Sequence, residues 1–487
     1  MKSLKDILYK VSINAVVGAT NVTVGSIEFD SRKIQKDALF VAVRGLVADG
    51  HNFIEMAIKT GAVAVVCESL PEKLIEGVTY VEVDNSSKAL AFMASNFYDA
   101  PSENLRLVGV TGTNGKTTVA SLLYQLFKKA GYKVGLLSTV KIMVDNTEYK
   151  ATHTTPDSLT INKFLSEMNI AGVEFCFMEV SSHGIHQFRT EGLQFEGGIF
   201  TNLSHDHLDY HKTFAEYRDV KKKFFDGLSS KAFALVNVDD KNGLVMLQNT
   251  KARKYTYALK QYADYKSQIL ENQFGGLLLK VNDSEVWTRL IGNFNAYNVL
   301  AIYATAELLG LEKVEVLRLI SDLESVSGRF QYIVSNEKIT AVVDYAHTPD
   351  ALKNVLETIN SIRTKNEELI TVVGCGGDRD AAKRPKMGHI ASTLSTKVIF
   401  TSDNPRSEKP EDILKDIEAG IEPQNFKKVL TVEDRKQAIK TACQLAQPND
   451  IILIAGKGHE TYQEIKGERF DFDDFKIVQE FLKQLQK

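Results

Sequence analysis

The chain has 487 residues, too many for one hydrophobic core, and its length suggests about three domains. Hydrophobic residues make up 44% and charged residues 25%, the balance of an ordinary globular protein. A net charge of −3 excludes a global basic field that would draw nucleic acid or an anionic membrane surface.

The opening run Met1-Lys2-Ser3-Leu4-Lys5-Asp6 is charged and lacks the apolar stretch of a signal peptide. No apolar run approaches the length of a membrane span. The four cysteines, Cys67, Cys176, Cys375 and Cys443, form no Cys-x-x-Cys pair and no zinc spacing. They are expected to be reduced, mostly buried thiols in a cytoplasmic protein.

In chain order, residues 1–98 alternate short β-branched runs (38–43, 62–66, 78–83) with helical stretches. Pro101-Ser102-Glu103-Asn104 punctuates the chain and marks a first boundary. Strand-like runs then alternate with helices over 105–110, 134–137, 175–180, 198–201 and 232–238. Gly328-Arg329-Phe330 closes this region, and a new series starts with runs at 341–344, 369–374, 397–401 and 451–455. The rhythm predicts an α/β protein of three domains, 1–98, 99–330 and 331–487, with mainly parallel sheets. Ligands of such sheets bind beyond the carboxyl ends of the strands, so each loop there is a candidate site.

The most informative of these loops is Gly112-Thr113-Asn114-Gly115-Lys116-Thr117-Thr118. It follows a β-branched run and precedes an amphipathic helix with Val119, Leu122, Leu123, Leu126 and Phe127 on one face. Loop N–H groups, the helix N-terminus and the Lys116 charge together make a phosphate cradle. The Thr117 hydroxyl suits the Mg²⁺ that accompanies a nucleotide. The common P-loop has glycine six residues before the lysine, where this chain has Val110, so the loop is a variant.

Glu179 ends a strand-like run and is placed to bind Mg²⁺ beside the loop. Thr201 to His211 then carries three histidines and two aspartates. No His-Glu-x-x-His and no nearby cysteine support zinc; oxygen ligands with one imidazole, His207, suit Mg²⁺ or Mn²⁺ better. His205 and His211 read as surface histidines. Lys221 reads by pattern as a surface lysine within Lys221-Lys222-Lys223.

On these residues the chain resembles the Mur ligase family, from Asp30-Ser31-Arg32 to Gly456-Lys457-Gly458-His459-Glu460. The variant loop is similar to that family's own P-loop. The resemblance implies an ATP-binding central domain, a UDP-substrate-binding N-terminal domain and a Rossmann-like, amino-acid-binding C-terminal domain. It implies that Lys221, in a Tyr-x-x-x-Lys context, carries a CO₂-derived carbamate as N6-carboxylysine. With Glu179 and His207 that group would hold a second Mg²⁺; Val220 stands where the family pattern has alanine. Asn295 and Asn298 resemble nucleotide-base contacts, although on the residues alone they read as an amide-rich helix N-cap. Arg329, Asp344 and His347 resemble residues that reach the ATP phosphates and ribose. Ser31 and His51 resemble uridine-binding positions. Thr154, Thr155, Ser181, Gln187 and Arg189 resemble the grip on a muramoyl dipeptide; standing alone, each lies in an ordinary polar loop.

Asp403-Asn404-Pro405-Arg406 resembles the signature of members that add meso-diaminopimelate, with Arg379, Gly456 and Glu460 completing the pocket. A guanidinium can pair the extra carboxylate of diaminopimelate, and an acid its ammonium. Gly374-Cys375-Gly376-Gly377 lacks the spacing of a dinucleotide fingerprint. The implied reaction is ATP-driven amide formation on UDP-N-acetylmuramoyl-L-alanyl-D-glutamate through an acyl phosphate, by a monomer. Lysine-adding and folylpolyglutamate-type ligases are alternatives within the superfamily. A P-loop ATPase or GTPase switch is the alternative outside it.

Overall fold

The computed structural model describes residues 1–45, 48–204 and 210–487. Among the described residues, three large sheets and two two-stranded ribbons carry the chain. In the first, strands Ala15–Val17, Thr79–Glu82, Ala62–Cys67, Ala38–Val41 and Ser26–Glu28 lie side by side in that order. All neighbours are parallel except the first pair.

The second sheet has eleven strands, and Arg106–Thr111 lies near its middle. Its neighbours are Phe175–Glu179 on one side and Gly197–Phe200 on the other, both parallel to it. Val110 is opposite Glu179, and Thr111 is opposite Phe200. The register therefore delivers three strand ends to one place. Alternation builds both faces: Val108, Val110, Phe175 and Phe177 join one core, while Leu107, Cys176 and Met178 join the other.

Helices Lys116–Lys129 and Asn293–Leu308 cover the first face, and helices Ser158–Ile170 and Phe214–Asp226 cover the second. All five apolar positions expected on the P-loop helix are fully buried. The sequence reading missed the edges. Hairpin Lys141–Val144/Thr147–Lys150 extends the sheet on one side. On the other side Tyr265–Gln273 joins parallel to Arg253–Ala258, and Gly276–Val281 and Ser284–Thr288 follow it as antiparallel strands.

The third sheet runs Gln331–Val334, Thr340–Asp344, Ile451–Ala455, Leu369–Val373, Lys397–Phe400 and Val429–Thr431. Only its first strand is antiparallel. Beneath its carboxyl ends, Arg435 and Asp474 form a fully buried ion pair, at 2.9 and 2.8 Å. Arg435 Nη2 also donates to the Ala455 carbonyl at 3.0 Å, tying the pair to a loop-bearing strand end. Among the described residues, no helix is long and apolar enough to cross a membrane. The four cysteines are buried.

Removing one partner of a buried ion pair leaves the other uncompensated and costs about 3–5 kcal/mol. Asp474→Asn is accordingly expected to lower amide-exchange protection in Ile451–Ala455 sharply. Unchanged protection there would show that the pair does not support this edge.

Candidate active site

The P-loop is short because the strand runs on through Thr111 and the helix starts at Lys116. Val110, at the position of the missing glycine, is still paired within the ladder. Gly112 has φ +147°, and a Cβ there would come within 2.0 Å of Thr201 Oγ1. Only glycine fits that approach.

The loop is clamped from the next strand. Asn202 Oδ1 accepts the Asn114 N–H at 3.0 Å, and Asn202 Nδ2 donates to the Asn114 carbonyl at 3.1 Å. Thr201 Oγ1 donates to the same carbonyl at 2.6 Å. Sequence reasoning assigned these two residues no role; their signal was an amide and a hydroxyl at a strand end beside the loop.

Thr117 Oγ1 donates to Glu179 Oε2 at 3.0 Å, and Arg329 Nη2 donates to Thr117 Oγ1 at 3.1 Å. Glu179 Oε1 accepts the Thr139 N–H at 2.7 Å. Lys116 Nζ donates to the carbonyls of Gly112 and Thr113 at 2.9 and 2.7 Å. These groups, with Thr118, line a cavity of about 730 Å³.

Lys221 is not a surface lysine: it is 1% exposed. Tyr217, Val220, Lys221, Phe224 and Phe225 are the buried stripe of their helix, at spacings of three and four residues. That periodicity was the available signal. Lys221 Nζ donates to the Gly112 carbonyl at 2.9 Å. His211 is also buried, its ring 5.3 Å from that of Tyr217. His205 and His207 lie outside the described residues. Among the described residues, no group of three or more His, Cys, Asp or Glu forms a metal cluster.

Asn298 lines the cavity and Asn295 does not. Asn295 Nδ2 donates to the Ile291 carbonyl, and its Oδ1 accepts from Asn298 Nδ2 at 2.9 Å. Asn295 thus orients Asn298, while Asn293, Phe294 and Tyr297 face the space.

From the third sheet, Asp344 at a strand end and His347 just beyond it line the same cavity. Asp344 Oδ2 accepts the Phe330 N–H at 2.7 Å. Burial pushes its carboxyl up to about 6, against the pull of Arg329. The Arg329 guanidinium lies 4.8 Å from the centre of the Tyr345 ring.

A second cavity, of about 820 Å³, shares Tyr345, His347 and Thr348 with the first. Arg379, Asp403, Asn404, Arg406, Gly456 and Glu460 line it, whereas Pro405 does not. Arg406 has φ +51°, and its Nη1 donates to the Gly377 carbonyl at 2.7 Å. A Cβ on Gly376 would come within 2.9 Å of that nitrogen and one on Gly377 within 2.0 Å of the Pro405 carbonyl, so the glycine pair lets the turn at Pro405-Arg406 pack closely. Asn404 Nδ2 donates to Glu460 Oε2 at 2.8 Å.

The remaining expected contacts are less gathered. Thr155 Oγ1 donates to the Glu179 carbonyl at 2.8 Å and accepts the Ser181 N–H at 2.9 Å. Thr154 Oγ1 accepts from Thr139 at 3.1 Å. Gln187 Oε1 accepts twice from Arg189, whose Nη1 donates to the Thr155 carbonyl at 2.5 Å. Ser31 and His51 line neither cavity. His51 Nδ1 pairs with Asp49 at 2.6 Å, and His51 Nε2 accepts the Glu68 N–H at 2.9 Å. Both ring nitrogens are occupied, so this ring braces its loop.

Three family profiles match in sequence order. Mur ligase family, catalytic domain, covers residues 23–98. Mur ligase middle domain covers 110–306, and Mur ligase, glutamate ligase domain, covers 328–458. The chain is 57% identical to the UDP-N-acetylmuramoyl-L-alanyl-D-glutamate--2,6-diaminopimelate ligase of Cytophaga hutchinsonii, over 99% of this chain and 100% of that one. The chain belongs to the Mur ligase family.

A second Mur ligase of the same description, from Phocaeicola vulgatus, is 52% identical over 98% of this chain and 99% of its own length. A solved structure of a ligase so described superposes with a TM-score of 0.71 at 32% identity. It covers 100% of this chain and 99% of that one. The glutamate ligase match begins at residue 328, beside Arg329, and includes Tyr345, His347 and Thr348, where the two cavities adjoin.

His459 sits at that junction, its ring 5.0 Å from Tyr345. Burial, then Arg329, His347 and Lys457, hold its imidazole down to about 3. The unfolded chain takes up this proton near pH 6.5, long before the folded protein does. Its contribution to stability is therefore complete above that pH and is lost progressively as pH falls toward 3. His459→Leu is expected to weaken the fall in melting temperature between pH 7 and pH 4.5. Identical acid slopes for variant and parent would contradict this.

Proposed function

We propose that this Mur ligase joins meso-2,6-diaminopimelate to UDP-N-acetylmuramoyl-L-alanyl-D-glutamate at the expense of ATP, a step of peptidoglycan precursor synthesis. The observation that carries the reading is the pair of adjoining cavities. One holds a phosphate cradle with an acid and a hydroxyl; the other is lined by Arg379 and Arg406 together with four carboxylates, Asp403 and Glu460 among them. An activated acyl group formed in the first is within reach of an amine held in the second. The names of the relatives at 57% and 52% identity support the same substrates.

We read residues 1–98 as the UDP-substrate domain, 99–330 as the ATP domain and 331–487 as the amino-acid domain. Separate sheets and three successive profile matches support that division. Ser31, with Thr154, Thr155, Ser181, Gln187 and Arg189, is proposed to hold the nucleotide-sugar dipeptide, while His51 braces its loop through Asp49 and the Glu68 N–H. The reaction is placed in the cytoplasm, in keeping with four free, buried thiols.

Residues Gly112 to Thr118 cradle the triphosphate, and Lys116 brings a full positive charge to it. Asn298, with Asn295 behind it, borders the base side; Arg329, Asp344 and His347 close from the junction. Thr117 Oγ1 and Glu179 Oε2 are hard oxygen donors 3.0 Å apart, which fits Mg²⁺. Glu179, His207 and a carbamate on Lys221 are proposed to hold a second Mg²⁺; the burial of Lys221 beside the Gly112 carbonyl supports its part. Bound there, the ions would offset the repulsion between a carboxylate and a triphosphate.

The D-glutamyl carboxylate attacks the γ-phosphorus, and ADP leaves. The acceptor amine then attacks the acyl carbon, loses a proton, and phosphate departs. Tyr345 and His347, shared by both cavities, shield the transfer from water. Arg406 and Arg379 pair the distal carboxylate of the acceptor, and Glu460 and Asp403 its ammonium, with Asn404, Pro405 and Gly456 shaping the wall.

Phosphate release from ATP and the dipeptide nucleotide should require meso-diaminopimelate and not respond to L-lysine. Losing a charge-assisted contact costs about 1.5–3 kcal/mol, so Arg406→Ala should raise the acceptor KM about 10- to 100-fold. Turnover with lysine alone would overturn the acceptor assignment. Release without any acceptor would favour a hydrolytic switch.

A further inference from the structure

Beneath the acceptor cavity lies a lysine that the reaction described above does not use. Lys457 stands two residues beyond strand Ile451–Ala455, and its side chain is 0% exposed. A buried ammonium is costly unless hydrogen bonds and counter-charge offset the loss of water. Its Nζ donates to Asn404 Oδ1 at 2.9 Å and to Glu460 Oε2 at 3.1 Å. It also lies 5.5 Å from the centre of the Tyr462 ring.

Both hydrogen-bond partners line the acceptor cavity, and Lys457 does not. Asn404 Nδ2 closes the triangle by donating to Glu460 Oε2 at 2.8 Å. Asn404 Oδ1 accepts a further bond from the Glu464 N–H at 2.9 Å. The amide can therefore face only one way: oxygen toward the ammonium, nitrogen toward the acid. Both inward contacts of the carboxylate fall on Oε2, which leaves Oε1 toward the cavity.

The cavity also holds the Asp403 carboxylate. With Asp350, Asp380 and Glu460 it gives the cavity four carboxylates, and like charges in one pocket repel each other. Lys457 supplies a fixed positive charge on the side away from the ligand.

We propose that Lys457 is a positioning residue for acceptor recognition, locking Asn404 and Glu460 into a preset receptor for the ammonium of a diamino acid. This rests on the reading of the cavity as the acceptor site. Lys457 touches no substrate and acts through its two partners. A space-filling role would disturb every substrate alike; a positioning role moves the acceptor alone.

The test is steady-state kinetics on the full chain with meso-diaminopimelate, for the parent, Lys457→Met, Glu460→Gln and the double variant. Removing such a supporting partner typically costs about 10- to 100-fold, so Lys457→Met should raise the acceptor KM by that factor. KM for ATP and for the dipeptide nucleotide should stay within twofold. In the Glu460→Gln background the same change should add little, because the lysine acts through that acid. Lys457→Gln, which keeps a donor without the charge, replaces Met if the latter does not fold. An unchanged acceptor KM, an equal rise for all three substrates, or full additivity with Glu460→Gln would overturn the proposal. A parent protein inactive with meso-diaminopimelate would instead overturn the acceptor reading itself.

Discussion

The site depends on one hydroxyl. Thr117 Oγ1 donates a hydrogen bond to Glu179 and accepts one from Arg329. The first contact joins the start of the P-loop helix to the end of the neighbouring strand. The second joins both to the chain segment leading into the third sheet. A group at this point senses the phosphate cradle, an acid suited to metal and the domain junction at once. The register of the central sheet makes this possible, since it sets Glu179 opposite Val110, two residues before Gly112.

Two parallel sheets direct their carboxyl ends into adjoining spaces. In the central sheet those ends carry Thr111, Glu179 and the clamp Thr201-Asn202. In the third they carry Asp344, Gly456 and the loop from Asp403 to Arg406. Burying charge at strand ends is expensive, and the protein offsets it in layers. Arg435 and Asp474 lie lowest, then Lys457, then the groups open to ligand. Arg435 holds the Ala455 carbonyl, and Lys457 holds Asn404 and Glu460, so those ligand-facing side chains lose little freedom on binding.

The strands flanking the P-loop were legible because both of their faces are buried and their runs are continuously apolar. The helix after the loop was legible from its spacing. The edge strands were not. Tyr265–Gln273 alternates buried and exposed positions only at its start, and its far end is mostly exposed. The hairpin turns of the two edges, Asn282-Asp283 and Asp145-Asn146, were local signals and easily passed over. Lys221 was misread because charge was weighed above periodicity; its place on the apolar stripe of its helix was visible in the same residues. Asn295 and His51 carry a different lesson. The family resemblance implied ligand contacts, and here their polar atoms bond within the protein. Side-chain orientation is a tertiary property that neither composition nor spacing encodes.

The central claim is that a carboxylate is activated by phosphoryl transfer in one cavity and captured by an amine from the next. An isotope follows that path directly. The dipeptide nucleotide, labelled with ¹⁸O in its D-glutamyl carboxylate, is turned over with ATP and meso-diaminopimelate, and the released phosphate is analysed by mass. The account predicts that each phosphate carries one ¹⁸O atom from the carboxylate. Unlabelled phosphate accompanying full amide formation would contradict it.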